Sequence, residues 1–335
     1  MALVARRDTF MAFKHFKTFQ AVLCVLGIVL LTWIIVKIGP LQILENFQTL
    51  SWRLLLIIAL ASISYMFHTL GWLQYFKANN KDISFWKLFK IKIAGEATNT
   101  LTPLSFVGGD PVRAILLHNS DPSLGSGASV VVDRTVYVIS TILLITLGLI
   151  IGFMRLSIPS EIRMTLLFII ILLIVGLYLL IHHQRGGFFI SMLNLAKKMR
   201  IKKDFTEKTL EKCHALDTSI KTFYMSNKRR FLLSIFLQFL GRLEGVLEVF
   251  LLSYFLGIPM DFWTAFFLTA LFPLLNFAFG IIPGNVGVLE GATGIAFHLL
   301  KLGMADGVTL QLCRRIRSVF WILVGLIIMA RHDQD

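Results

Sequence analysis

"LTPLSFVGGDPVR", residues 101–113, sets two prolines, a glycine pair and an Asp/Arg pair inside a chain that is 56% hydrophobic. What this stretch can be depends on its surroundings. A mean hydropathy of +0.76 over 335 residues is far above that of a soluble domain with one core. The hydrocarbon layer of a bilayer, about 30 Å thick, takes about 20 apolar residues per helix. Residues 19–36, 54–76, 129–154, 164–181, 231–255 and 308–330 meet that requirement. The expected fold is an all-α polytopic membrane protein with six full transmembrane helices in one transmembrane domain, residues 1–335. Two further apolar regions, 85–117 and 262–300, are each broken near the middle by Pro and Gly and read as re-entrant helical hairpins. Irregular backbone at that depth survives only when buried in protein or lining a wet cavity.

Arg6, Arg7, Lys14 and Lys17 precede the first span, and no small-residue cleavage site follows before Lys37, so that span reads as an anchor. Cys24, Cys213 and Cys313 are odd in number and lack metal-ligand spacing, which argues against a disulfide framework and a zinc site. Short cytoplasmic loops hold the excess of Lys and Arg. Lys77, Lys81, Lys87, Lys90 and Lys92 crowd one connection, and the connection 182–230 holds twelve Lys/Arg. Within it Met192, Leu193, Leu195 and Ala196, followed by a lysine run, suggest an amphipathic helix on the cytoplasmic surface. Placing both connections in the cytoplasm puts both termini there as well, in the cell (inner) membrane. The net charge of +14 then falls on loops and tails, facing anionic lipid headgroups rather than nucleic acid.

With that topology the first hairpin enters from the cytoplasm and the second from outside. Halves 1–155 and 156–335 are then expected to form an inverted repeat, the arrangement common among alternating-access transporters. "EATNTLTPLSFVGGDPVR" and "NFAFGIIPGNVGVLEG" share an Asn (Asn99, Asn276), a Pro (Pro103, Pro283), glycines (Gly108 and Gly109; Gly284 and Gly287) and an acid (Asp110, Glu290) in the same order.

Charges inside the apolar segments balance: Glu96, Asp110, Asp133, Glu244, Glu248 and Glu290 against Arg113, Arg134, Arg242, Arg314, Arg315 and Arg317. Each costs at least about 2.5 to 3.5 kcal/mol to insert, so they call for a role beyond packing. Balanced signs favour ion pairs over a single-sign pore. Arg314 and Arg317 share a helix face, whereas Arg315 points about 100° away and suits a structural pair. Glu244 and Glu248 share a face at four apart. Arg242, Glu244, Glu248, Arg314 and Arg317 are expected to line one polar cavity, with structural ion pairs between spans as the alternative. Asp133 and Arg134, near the end of their span, could equally cap or snorkel. His68 and His298 read as hydrogen-bonded to neighbouring spans rather than as proton carriers.

The opening stretch then reads as a break that frees amides at a half-helix N-terminus, where the dipole favours an anion, with Arg113 one turn beyond Asp110. Pro283, Gly284, Gly287 and Glu290 repeat this with opposite aspect. Two such half-sites, each able to hold a charged headgroup, are what a lipid flippase needs.

"GEATNTLTPLSFVGGDPVRAILL", "DRT" at Asp133 and "PGNVGVLEG" at Pro283 resemble three signature blocks of the flippase-like integral membrane family that includes the transmembrane region of lysylphosphatidylglycerol synthases. The resemblance covers nearly the whole chain in order. It implies a lipid-translocating domain with functional positions at Gly95, Glu96, Asn99, Gly108, Gly109, Asp110, Arg113, Asp133, Arg134, Pro283, Gly284, Gly287 and Glu290. Only "RHDQD" follows the last span, so the aminoacyl-transferring domain of the synthases is not expected and their activity is not carried over. No catalytic residue, metal or cofactor is assigned. Two other readings stand beside translocation of a phospholipid or other polar lipid: a membrane-embedded transferase using Glu244 or Glu248 as base, and a scaffold for a lipid-biosynthetic enzyme.

Overall fold

The computed structural model describes residues 40–102, 108–156, 160–187, 189–191, 207–280 and 282–332, together with 29–30, 32–33, 35–36, 193 and 197. Among these there is no strand. Apolar runs supply the helices: α1 (Pro40–Leu50), α2 (Arg53–Ala78), α3 (Phe85–Leu101), α4 (Gly109–Ser120), α5 (Ser126–Arg155), α6 (Ser160–Gly186), α7 (Glu207–Ser226), α8 (Lys228–Phe255), α9 (Phe262–Ala278), α10 (Val288–Leu299) and α11 (Met304–His332). The protein is all-helical, and α2, α5 and the first twenty residues of α6 are long and apolar enough to cross a bilayer. At 28 and 29 residues, α8 and α11 run about 42 Å at a rise of 1.5 Å per residue, which is also sufficient length, but they carry charges in mid-helix. Five of the six expected spans thus coincide with helices. The first, 19–36, lies mostly outside the described residues, as do Pro103 and most of the amphipathic stretch 192–203.

Two helices were not anticipated. In the connection before α2, Pro40 at the first helical position starts α1, where its missing N–H costs nothing. Leu41 and Leu44 are exposed on α1, as on a helix lying at a membrane interface. The connection 182–230 ends in the 20-residue α7. Asp217 of α7 fixes the chain before it by accepting from the amides of Phe189 and Ile190, each at 3.0 Å.

Both broken regions are helix–break–helix. The first breaks between α3 and α4, the second between α9 and α10 around a tight turn at Pro283–Asn285. Gly109 is required because a Cβ there would stand 2.0 Å from the carbonyl oxygen of Gly95. At the second break Gly284 and Gly287 take φ of 61° and 79°, the left-handed region that favours glycine.

The residues divide into two compact units. One comprises the described part of Met1–Leu60 with Ile93–Pro111 and Leu247–Asp335; the other comprises Ala61–Lys92 and Val112–Val246. The first unit packs around Ile57, Val249, Leu252, Leu268, Phe272, Phe297 and Leu310. In it Gly325 of α11 lies so close to α3 that a Cβ would meet Ala97 Cβ at 2.5 Å and the Ile93 carbonyl oxygen at 2.8 Å. In the second unit, Ser64 donates to the Gly241 carbonyl at 2.8 Å and Ser234 to the Gly71 carbonyl at 2.7 Å, small residues letting α2 and α8 approach. By contrast α6 has only 6% of its apolar stretch buried inside the protein, against 50% for α5, so little of it packs against the described residues.

These approaches predict a contrast. Gly325→Val should destabilise the purified protein by about 1 to 3 kcal/mol through overpacking. Gly176→Ala on α6, where a Cβ meets nothing within 4 Å, should be neutral or slightly stabilising. Thermal unfolding in detergent distinguishes the two.

Candidate functional site

In the second unit the polar residues converge on Asp133 of α5, which is 1% exposed. Its Oδ2 accepts from Lys92 Nζ of α3 at 2.6 Å and from Arg113 Nη2 of α4, and its Oδ1 accepts from Gln238 Nε2 of α8 at 2.7 Å. The Gln238 amide oxygen in turn meets the His68 Nδ1 of α2. Trp72, one turn along α2 from His68, lies under the Arg113 guanidinium at 4.1 Å from its ring centre. Four helices therefore meet at one carboxylate, and α2 joins them through Gln238 and Arg113. A buried ion costs several kcal/mol in lost hydration, and only close counter-charges and hydrogen bonds recover it. Lys92 and Arg113 are likewise 1% exposed.

Nearby on α5 and α8, Arg242 donates to the Ser140 hydroxyl at 3.2 Å and stacks on Tyr137 with its guanidinium carbon 4.0 Å from the ring centre. Arg134 stands over the other reach of Tyr137 at 5.4 Å. Glu244 is buried in the same unit.

In the first unit the pattern recurs with a different acid. Glu248 of α8 is fully buried, and its Oε2 accepts from Arg314 at 3.2 Å and from Arg317 at 2.7 Å, both on α11. Arg314 also lies over Phe272 at 4.0 Å from the ring centre. The two guanidiniums are 16% and 21% exposed. Glu248 Oε1 is buried with no hydrogen-bond partner among the described residues. Arg315, on the other side of α11, donates to Glu290 at 2.6 Å and to the Gly284 carbonyl at 3.1 Å.

The half-helix N-termini differ from the sequence expectation. One amide at each start is already taken by the chain: Gly109 N–H donates to Asn99 Oδ1 at 2.7 Å, and Gly287 N–H donates to Glu290 Oε2 at 2.8 Å. A buried N–H must find an acceptor, and here the chain supplies its own. Asn276 plays a part like that of Asn99, its amide meeting that of Asn285 across the second break at 2.9 Å. Gly108 serves the tight return, since a Cβ would collide with Thr102. Glu96 and Asp110 are half-buried, and Pro283 begins the turn of the second break.

The five residues expected in one cavity divide between the units, Arg242 and Glu244 in one, Glu248, Arg314 and Arg317 in the other. Asp133 does not cap its span but is the centre of a network. Of the histidines, His68 is bonded to Gln238 and His298 is exposed.

By sequence Lys92 groups with the loop lysines, yet it is buried. The signal was its angle: it lies about 200° round the helix from Lys90, among the buried Ile91 and Ile93, while Lys87 and Lys90 are exposed. Gln238 and Trp72 had no charge to mark them. Gln238 is four residues before Arg242, on the same face, which is the cue an inward polar stripe leaves.

An all-helical membrane protein whose spans hold buried carboxylates clamped by cations is the class that this fold and these clusters define. Within it, the model of the lysylphosphatidylglycerol synthase transmembrane region matches residues 20–326, and the chain belongs to that family. It is 24% identical over 318 residues to a UPF0104 membrane protein of Methanothermobacter thermautotrophicus, covering 91% of this chain and 93% of the relative. It is 27% identical over 297 residues to a UPF0104 membrane protein of Pyrococcus horikoshii, covering 83% and 87%. No solved structure matches the chain.

Removing the acid from the α11 cluster should cost more than removing one cation. Glu248→Ala leaves two guanidiniums around an empty position and should destabilise by about 3 to 5 kcal/mol, whereas Arg317→Ala leaves Glu248 on Arg314 and should cost clearly less. Equal shifts in thermal unfolding would contradict this geometry.

Proposed function

We propose that the protein moves a polar or charged-headgroup lipid between the leaflets of the cytoplasmic membrane, with both termini on the cytoplasmic side. The observation that carries this reading is the set Arg314, Arg315 and Arg317 on α11, the first and last on one face and Arg315 on the other. Three guanidiniums sit part-exposed in a spanning helix, each held in place by a fully buried glutamate from another helix. A fixed cation inside a membrane protein has little use for an apolar cargo. It suits a headgroup phosphate, which a guanidinium fork meets with two parallel hydrogen bonds. The unpaired but buried acceptor on Glu248 would meet a hydroxyl or ammonium donor of the same headgroup when the cluster opens. The second break, whose Gly284 carbonyl and Glu290 both engage Arg315, would let a rearrangement of the turn reach the helix that carries Arg314 and Arg317. An inverted repeat of halves 1–155 and 156–335 would give the pathway access from each side in turn.

The test is reconstitution into liposomes carrying headgroup-labelled polar lipids, read as loss of label accessible in the outer leaflet. Native protein should redistribute a polar lipid. Arg317→Gln, which keeps Arg314 on Glu248, should slow redistribution by about tenfold or more, the worth of one charged hydrogen bond. Covalent change of the labelled lipid would instead favour a transferase, and neither movement nor change would favour a scaffold.

A further inference from the structure

We infer that the N-terminal turn of α8 is a binding site for an anionic phospholipid of the leaflet that it faces, separate from the charge clusters described above. Ser226, Asn227, Lys228, Arg229, Arg230 and Leu233 line a half-open surface hollow of about 490 Å³ between the end of α7 and the start of α8. Three consecutive cations thus border one hollow with no acid in its wall. No salt bridge to Lys228, Arg229 or Arg230 is formed among the described residues, and Asp217, the buried acid of α7, is occupied by the Phe189 and Ile190 amides. Charge complementarity therefore asks for an anion. A phosphate monoester or diester fits the guanidinium fork and the volume.

The same helix face selects a lipid over a free anion. Leu232 and Leu233 stand three and four residues beyond Arg229, and Phe236 four and three beyond them, so they share one face of α8. Leu232, Leu233 and Phe236 are 63%, 41% and 56% exposed. A cation at the helix start with an exposed apolar strip directly beyond it matches a headgroup phosphate with acyl chains running down the helix. A soluble phosphate would use the cations and leave the strip without a role. By the distribution of Lys and Arg, the leaflet is the cytoplasmic one. The site would anchor α8 at a fixed depth, and so fix the height of Glu248 further along the same helix.

The full-length protein in non-ionic detergent is titrated with dioctanoyl phosphatidic acid, dioctanoyl phosphatidylcholine or inorganic phosphate, and bound species are counted by native mass spectrometry. Phosphatidic acid should bind saturably, with the other two silent at the same concentration. Arg229→Ala/Arg230→Ala should weaken that binding roughly thirtyfold, the loss expected from two basic residues at an anionic surface. Arg229→Lys/Arg230→Lys, which keeps the charge, should retain most of it, and thermal unfolding of the double alanine variant at the native temperature shows that its helix start still folds. Lys87→Ala/Lys90→Ala, which removes the same charge from exposed positions on α3, should leave it unchanged. Equal loss in the α3 variant would reduce the site to diffuse surface charge. Phosphate binding as tightly as phosphatidic acid would make it a free-anion site. Undiminished binding by the double alanine variant would place the lipid elsewhere. Any of these three overturns the inference.

Discussion

Asp133 accepts from Lys92, Arg113 and Gln238, groups carried by three different helices, and is sealed from water while doing so. An ionised carboxylate in that position is tolerable only if its partners arrive together, because losing hydration costs several kcal/mol per ion. Lys92 and Arg113 lie on the two arms of the first broken segment. One acid therefore holds both arms to the span that follows them. His68 and Trp72 extend the constraint to α2, the former through Gln238 and the latter beneath Arg113. Close approach of α2 and α8 at Gly71 and Gly241 depends on the same arrangement, since a Cβ on Gly241 would reach the His68 ring at 2.9 Å.

The second broken segment is held by the same device with the signs exchanged. In the first, a cation on the arm after the break, Arg113, meets an acid on the next span, Asp133; in the second, the acid Glu290 on that arm meets the cation Arg315 on the next span. An asparagine on the arm before each break bonds to the chain nine or ten residues on, Asn99 to Gly109 and Asn276 to Asn285. Each of these contacts lies within a single unit. Polarity differs in a way that matters for function. The Asp133 cluster is closed, with Lys92 and Arg113 1% exposed, whereas the guanidiniums on α11 are 16% to 25% exposed. The first cluster is a clasp, and the second is a clasp that also presents cations.

Helix positions were legible because apolar length is the strongest signal a membrane chain carries. Both breaks were legible from Pro and Gly, and Arg315 was separated correctly from Arg314 and Arg317 by its angle on the helix. Pairing was less legible. Which acid meets which cation depends on helix packing, so nothing in the spacing of Asp133 named Lys92 or Gln238 as partners. Lys92 was hidden by its neighbours Lys87 and Lys90, whose exposed positions made a three-lysine loop the simpler reading. At the half-helix ends one amide each, on Gly109 and Gly287, is met from within the chain, and the reason is local. Asn99 and Glu290 stand where their own side chains can satisfy the leading N–H groups, and a polar group supplied by the chain precedes any ligand.

If a shared buried acid is what holds the first broken segment, its energetics must be coupled rather than additive. The most direct measurement is a double-mutant cycle on thermal or denaturant unfolding with Arg113→Met, Asp133→Asn and the two combined. The account predicts that each single change destabilises strongly and that the pair costs less than the sum by roughly 0.5 to 3 kcal/mol, because neutralising both leaves less unmatched charge in the interior. Additive effects would mean that Arg113 and Asp133 act separately, and the clasp at the centre of this structure would have to be abandoned.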